Sequence, residues 1–74
     1  MSKEPLPVVS GAEAIKVFKA VGYSQSRQKG SHVRLKCPGK NSLTVPLHDE
    51  LAKGTLRALI RDAGITVEEF ASHL

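Results

Sequence analysis

Residues 31–48 read SHVRLKCPGKNSLTVPLH, and their pattern sets the architecture expected of the chain. Two short runs in this stretch alternate apolar or small residues with polar ones, as strands with one buried and one exposed face do. The residues on the expected buried face are Ser31, Val33, Leu35 and Cys37 in the first run and Leu43, Val45 and Leu47 in the second. The turn sequence 38–41 separates the runs and predicts an antiparallel hairpin. Pro46 places the second strand at a sheet edge or near its end, because proline donates no ladder hydrogen bond.

Two registers of this hairpin keep the apolar side chains on one face, because apolar residues of paired strands share a face. In the first register His32 lies opposite His48, with the two Cβ atoms about 5 Å apart; its apolar pairs are Cys37 with Leu43, Leu35 with Val45 and Val33 with Leu47. A shift by two residues keeps the faces and separates the histidines. The sequence leaves both registers open.

Helical patterns lie on either side of the hairpin. Ser10 and Glu13 have the spacing of a capping box, and apolar residues at helical spacing predict a helix from Ser10 to about Val21. A second helix is predicted from about Lys53 to Ala63, where Gly64 ends it. A last short helix is predicted from Val67 to Ser72, preceded by a second possible capping box, Thr66 and Glu69.

These elements predict an α+β domain with the order helix, three strands, helix, short helix. The stretch from Tyr23 to Gln28 is weakly patterned, and we assign it as the third strand because a two-stranded hairpin is marginally stable alone. The expected architecture is a three-stranded antiparallel sheet with its helices on one face. Residues 1–9 carry two prolines and are predicted to be a flexible lead-in, while residues 10–74 form one domain. A 74-residue chain should have no room for a cofactor-sized cleft.

Charge and cysteine content narrow the classes of function. The chain has 11 Lys and Arg against 7 Asp and Glu, a net charge of +4. No acid lies between Glu13 and Asp49, where seven basic residues fall, so we expect either an anionic partner or a solvated basic surface. A single cysteine, Cys37, excludes an internal disulfide and CxxC sites. No signal peptide or membrane-spanning run is recognisable, and we expect a cytoplasmic protein without membrane contacts.

His32 is the candidate catalytic residue on the exposed strand face. Imidazole gives and takes protons at neutral pH, and breaking a phosphodiester needs a proton taken from the attacking oxygen and one given to the leaving oxygen. Lys29, Arg34 and Arg27 are placed to bind the phosphate. An exposed histidine is also often only a polar surface residue. The histidines lack zinc-site spacing and the central region lacks carboxylates, so we expect no metal and no cofactor.

Three further residues are candidate phosphate contacts. Gly30 either eases a tight entry into the strand or lets the backbone approach a phosphate, for which the Ser31 hydroxyl is a donor. Lys53 lies near a helix N-terminus, where the dipole and free N–H groups add to its attraction for anions. With three aromatic side chains in total, contact by charge and shape is favoured over base stacking.

A succession of motifs from residue 11 to about 70 resembles the HicA (YcfA-like) toxins of bacterial toxin–antitoxin pairs. The motifs are Arg27-Gln28-Lys29-Gly30-Ser31-His32, then Thr44-Val45-Pro46-Leu47-His48, then Lys53-Gly54-Thr55-Leu56-Arg57 and Ala63-Gly64-Ile65. The resemblance implies a fold like that of double-stranded-RNA-binding domains, and it supports the strand from Tyr23 to Gln28. It also implies that His32 is the catalytic histidine of a metal-independent mRNA interferase. It assigns no role to His48.

The expected function is therefore a toxin that acts as a ribosome-independent endoribonuclease on mRNA. The resemblance implies a HicB-like antitoxin as partner, and we expect it to cover the basic face and His32. His48 is a possible second acid or base, and no DNA contact is expected of this chain. The alternatives are a non-catalytic RNA-binding module of the same fold and a protein-interaction domain for an acidic partner.

Overall fold

The computed structural model describes residues 6–74. Three antiparallel strands form one sheet in the order β1-β2-β3, and three helices flank them in sequence. The elements are α1 (Gly11–Ala20), β1 (Ser24–Lys29), β2 (His32–Lys36), β3 (Leu43–Pro46), α2 (Lys53–Ala63) and α3 (Val67–Ser72). The predicted α+β class and order of elements are confirmed, with β1 shifted by one residue towards the C-terminus.

Side-chain caps fix the start of α1. The Ser10 hydroxyl accepts a hydrogen bond from the Glu13 backbone N–H at 3.1 Å, and the Glu13 carboxylate accepts one from the Ser10 N–H at 2.8 Å. This reciprocal pair is the predicted capping box, and it satisfies two N–H groups that would otherwise lack partners. At the start of α3 only half of the second predicted box is present, in which Thr66 accepts from the Glu69 N–H at 3.0 Å.

The second helix has the predicted bounds, Lys53 to Ala63. Gly64 follows it in the left-handed conformation, with φ of 73°. The Lys40 ammonium, in the β2–β3 loop, donates to the carbonyl of Ala63 at 3.0 Å. Carbonyl groups at a helix C-terminus carry partial negative charge, so this contact ties the loop to the end of α2.

The core lies between the helices and one face of the sheet. Phe18 of α1 and Phe70 of α3 are completely buried, with ring centroids 5.4 Å apart. The inward residues of β2 and β3 are buried against them, and no buried residue in the described range 6–74 is polar or charged. The opposite face of β2 is exposed at every position, so the sheet has one dry and one wet face. This is the arrangement predicted from the alternating pattern.

The C-terminal end of the predicted lead-in packs against the core. Val9 is only 3% exposed and belongs to the core, and its carbonyl accepts a hydrogen bond from the Leu51 N–H at 2.8 Å. Leu6 packs against the same core. The apolar side chains of this segment therefore bury surface that the short chain needs. Residues 1–5 of the predicted lead-in lie outside the described residues.

The hairpin adopts the second of the two possible registers. Val33 pairs with Val45 and Leu35 with Leu43, which places Pro46 opposite His32. This register pairs the four buried side chains of β2 and β3 with one another and leaves Leu47, which is 38% exposed, beyond the end of β3. His48 lies two residues further along the chain than the partner of His32. The opposition of the two histidines is therefore wrong for this fold.

A close approach between α1 and the end of β3 predicts that Gly11 is essential to stability. The Gly11 N–H donates to the carbonyl of His48 at 2.9 Å, and a Cβ atom at Gly11 would collide with the carbonyl oxygen of Pro46. We expect Gly11→Ala to lower the free energy of unfolding by about 1–3 kcal/mol, because backbone must shift to admit the methyl group.

The matched control for Gly11→Ala is Gly54→Ala. A Cβ at Gly54, in the first turn of α2, meets no atom within 4 Å, so this change should leave stability equal or higher by up to about 1 kcal/mol. Urea unfolding of both variants measures the difference. Equal stabilities of the two variants would contradict the packing described for α1 and β3.

The environment of Tyr23 leads us to predict that the free energy of unfolding depends on pH. Its hydroxyl donates to the Asn41 carbonyl at 2.8 Å, and burial, followed by the nearby Cys37 and Asp62, raises the pKa of Tyr23 above its ordinary value. The unfolded chain then loses the phenolic proton first, so this contribution to stability is complete below about pH 10 and is lost as the pH rises further. Unfolding midpoints of the wild type and Tyr23→Phe should converge above about pH 10. A constant difference between them would contradict this assignment.

Candidate nucleic-acid interface

A β-bulge in β1 decides which side chains face solvent beside β2. Gln25 pairs with Leu35 and Arg27 pairs with Arg34, so Ser26 is an extra residue without a partner. Without this extra residue, strict alternation along β1 would place Arg27 and Lys29 on the face opposite to Ser24. The bulge reverses the alternation and brings both cations to the exposed face.

The exposed face carries three cross-strand pairs in a row. Lys29 pairs with His32, Arg27 with Arg34, and Ser24 with Lys36. Paired residues have Cβ atoms about 5 Å apart, and successive exposed residues of β2 are about 6.8 Å apart along the strand. We call the five basic or imidazole side chains of these pairs the basic ladder; they are Arg27, Lys29, His32, Arg34 and Lys36.

The basic ladder lines an open depression of about 730 Å³. Two hydroxyl side chains, Ser26 and Thr44, complete the lining within the described residues 6–74, and none of these lining residues is acidic. This volume lies in the range of ligand-binding sites. The expectation that so short a chain has no room for a cofactor-sized cleft is therefore wrong. The depression is open to solvent, as suits a ligand that lies across the sheet.

His32 owes its position to the two-residue turn that precedes it. Gly30 and Ser31 connect the paired residues Lys29 and His32, and Gly30 has φ of 59°. A positive φ at the first turn position is typical of a type II′ hairpin and strongly favours glycine. The structure thus supports the conformational explanation of Gly30, and neither turn residue lines the depression. Ser31 contributes its carbonyl, which accepts from the Leu47 N–H at 2.7 Å.

Like charges face each other across the middle of the ladder. Arg27 and Arg34 form a direct cross-strand pair, and such pairs of like charge destabilise a sheet by a few tenths to about 1 kcal/mol. The Ser26 hydroxyl donates to the Arg34 carbonyl at 3.3 Å and holds the bulge against the strand that carries the second arginine. An anion bound between the two guanidinium groups would remove the repulsion.

Two further predicted site residues, Lys53 and His48, also lie outside this depression. Lys53 begins α2 and is exposed; no side chain caps this helix and no acid lies in its first turn, but Asp49 and Glu50 come just before it in the chain. His48 is exposed in the loop after β3, where its carbonyl accepts from Gly11. His48 is not among the residues that line the depression around His32.

Three lining residues were absent from the predicted site: Lys36, Ser26 and Thr44. Lys36 follows from strand alternation, because it shares the face of His32. Thr44 follows from the register, in which it pairs with Arg34. Ser26 had no signal in the sequence, since its place depends on the bulge.

Two further kinds of feature bear on the site, namely metal-binding groups and membrane-spanning helices. Within residues 6–74, no group of three or more His, Cys, Asp or Glu side chains is placed to hold a metal ion. In the same range, the structure has no helix with the length and apolar character needed to span a membrane.

Comparison with known proteins places this geometry in a family. A solved structure, described as a toxin–antitoxin complex from Streptococcus pneumoniae, contains a chain 34% identical to this one, with a TM-score of 0.68. The match covers 77% of this chain and 98% of that chain. No curated protein sequence matches. The family model of the HicA toxin of bacterial toxin–antitoxin systems matches residues 11–65, and the chain therefore belongs to the HicA toxin family.

Proposed function

We propose that this protein is a metal-independent endoribonuclease that cleaves mRNA as the toxin of a toxin–antitoxin pair. The observation that carries the proposal is the place of His32, which is exposed on the sheet face inside an acid-free depression lined by four cations. Membership of the HicA toxin family supports the toxin role. The proposed place of action is the cytoplasm, where mRNA is found.

In the proposed reaction His32 exchanges protons with the substrate. It acts either as the base that takes the proton of the attacking oxygen or as the acid that supplies a proton to the leaving oxygen. His32 is the one imidazole among the residues that line the depression, so the second proton exchanges with solvent at the open site. Positioned acid–base catalysis of this kind contributes about 10²- to 10⁴-fold to the rate.

The cations nearest to His32 are proposed to hold the scissile phosphate. Lys29 is the direct cross-strand partner of His32, and Arg34 is the next exposed residue along β2. Both carry positive charge where negative charge develops on the phosphate oxygens, which lowers the barrier by electrostatic stabilisation. Because arginine presents a planar array of donors, Arg34 also restrains the orientation of the phosphate.

The proposed partner is a HicB-like antitoxin that covers the basic face. A related chain is part of a solved toxin–antitoxin complex, which supports an antitoxin as partner. An antitoxin segment that presents carboxylates to Arg27, Arg34 and Lys36 would neutralise the like charges and bar RNA from His32. Inhibition then follows from competition for one surface.

The central test is His32→Ala. We expect RNA cleavage to fall by at least about 10²-fold while the thermal midpoint stays near that of the wild type, because His32 is exposed. Cleavage is measured on a defined transcript in excess chelator. The matched control is His73→Ala, an exposed histidine after α3 whose removal should leave cleavage unchanged.

The result of this test separates the two RNA-binding functions. Undiminished cleavage by His32→Ala would refute the catalytic assignment. Intact RNA with both wild type and variant, together with salt-dependent binding, would favour a non-catalytic RNA-binding module of the same fold.

A second prediction concerns His48. Because His48 lies two residues beyond the partner of His32 and outside the lining of the depression, we expect His48→Ala to leave the shape of the pH–rate profile unchanged and to change cleavage by less than about 3-fold. The measurement is kcat/KM between pH 5 and pH 9 for this variant and the wild type. Loss of one limb would identify His48 as the second acid or base and contradict the one-histidine scheme.

A further inference from the structure

The basic ladder has a direction, because His32 lies at one of its ends. Starting from the β1–β2 turn, the first pair is Lys29 with His32, the second is Arg27 with Arg34, and the third contains Lys36. The distance from His32 to Lys36 along β2 is about 13 Å. Positive charge therefore extends from the candidate catalytic residue towards the C-terminal end of β2.

Among residues 6–74, no basic residue continues the ladder on the other side of His32. The chain leaves the sheet there through the uncharged Gly30-Ser31 turn. In the lateral direction the neighbour of His32 is Pro46, which has no side-chain donor, followed by the exposed Leu47. A polyanion seated at His32 thus meets a row of cations along β2, whereas the Gly30-Ser31 turn, Pro46 and Leu47 beside His32 offer no cation.

The width of the ladder suits one nucleic-acid backbone. Its two columns lie on adjacent strands, about 4.8 Å apart, so a single phosphate can contact a β1 cation and a β2 cation together. An A-form duplex presents two backbones separated by a groove, and a row of this width can hold only one of them. Neighbouring positions offer the Ser26 and Thr44 hydroxyls as further donors. The lining holds no aromatic ring on which a base could stack.

We propose that one RNA strand lies along β2, with the scissile phosphate at His32 and the next two phosphates at the Arg27–Arg34 pair and at Lys36. This assignment rests on the proposed endoribonuclease function. It makes Lys36 a binding residue that touches no reacting atom, and it places the phosphate contacts on one side of the cleaved bond. We call the three phosphate positions at His32, at the Arg27–Arg34 pair and at Lys36 the single-strand track. Productive binding needs phosphates on one flank of the cleaved bond and gains nothing from those on the other.

The first test compares Lys36→Ala with Lys16→Ala, an exposed lysine on α1 away from the sheet face. With a single-stranded oligoribonucleotide, Lys36→Ala should raise KM about two- to five-fold and leave kcat unchanged, as loss of one exposed ion pair predicts. The slope of log affinity against log salt should fall in magnitude by about 0.7 for the lost phosphate contact. Lys16→Ala should match the wild type in both measurements.

The second test determines on which flank of the cleavage site the phosphates are bound. After the cleavage site of a short oligoribonucleotide is mapped, the two linkages on one flank of it are replaced by uncharged methylphosphonates, and then the two on the other flank. We expect kcat/KM to fall several-fold for one flank and to stay constant for the other. Equal effects on both flanks, or equal cleavage of a blunt duplex, would overturn the one-sided single-strand track.

These outcomes are distinguishable from failure of the proposed function. If His32→Ala abolishes cleavage while Lys36→Ala behaves like Lys16→Ala, the catalytic assignment stands and the track is wrong. If the wild type cleaves no RNA but Lys36→Ala still lowers the salt slope for binding, the track stands as a binding surface and the endoribonuclease proposal is wrong.

Discussion

The pairing of four apolar side chains on the inner face of β2 and β3 is the constraint on which the rest of this protein depends. Val33 opposite Val45 and Leu35 opposite Leu43 seal the core against the helices. Because side chains alternate along a strand, burying these residues forces the intervening ones into solvent together. The wet face of β2 is therefore a direct consequence of how the core is packed, and a change of register by one residue would destroy both at once.

In the pair of β1 and β2, the side chains of β1 are oriented in a different way. β1 is exposed at all six positions, so no buried side chain fixes which way its residues face. The bulge at Ser26 does this, with support from a hydrogen bond to the Arg34 carbonyl. A weakly patterned edge strand tolerates such an irregularity because it costs no core contact. The charged face is therefore formed by β2, whose register is fixed by the core, and by β1, whose cations are brought to that face by the bulge.

The sequence predicted the parts of the fold that rest on local chemistry. The capping box at Ser10 and the end of α2 at Gly64 are determined by groups within a few residues, and both were found where expected. The register of β2 and β3 depends on which apolar residues reach the core, and the alternating pattern allowed two answers. The bulge at Ser26 follows from long-range pairing, which leaves no trace in composition or periodicity. For the site, the exposure of His32, Arg34 and Lys36 followed from alternation along β2. The place of Arg27 and Lys29 depends on the bulge, and that of His48 on the register.

The direct opposition of Arg27 and Arg34 has a thermodynamic consequence for the toxin. The free protein holds like charges together at the expense of its own stability, so any anionic ligand that binds the folded face and not the unfolded chain acts as a folding ligand. At a free concentration a hundred times its Kd, such a ligand adds about 2.7 kcal/mol to the free energy of unfolding. Occupancy of one surface would then set the lifetime of the toxin as well as its access to substrate.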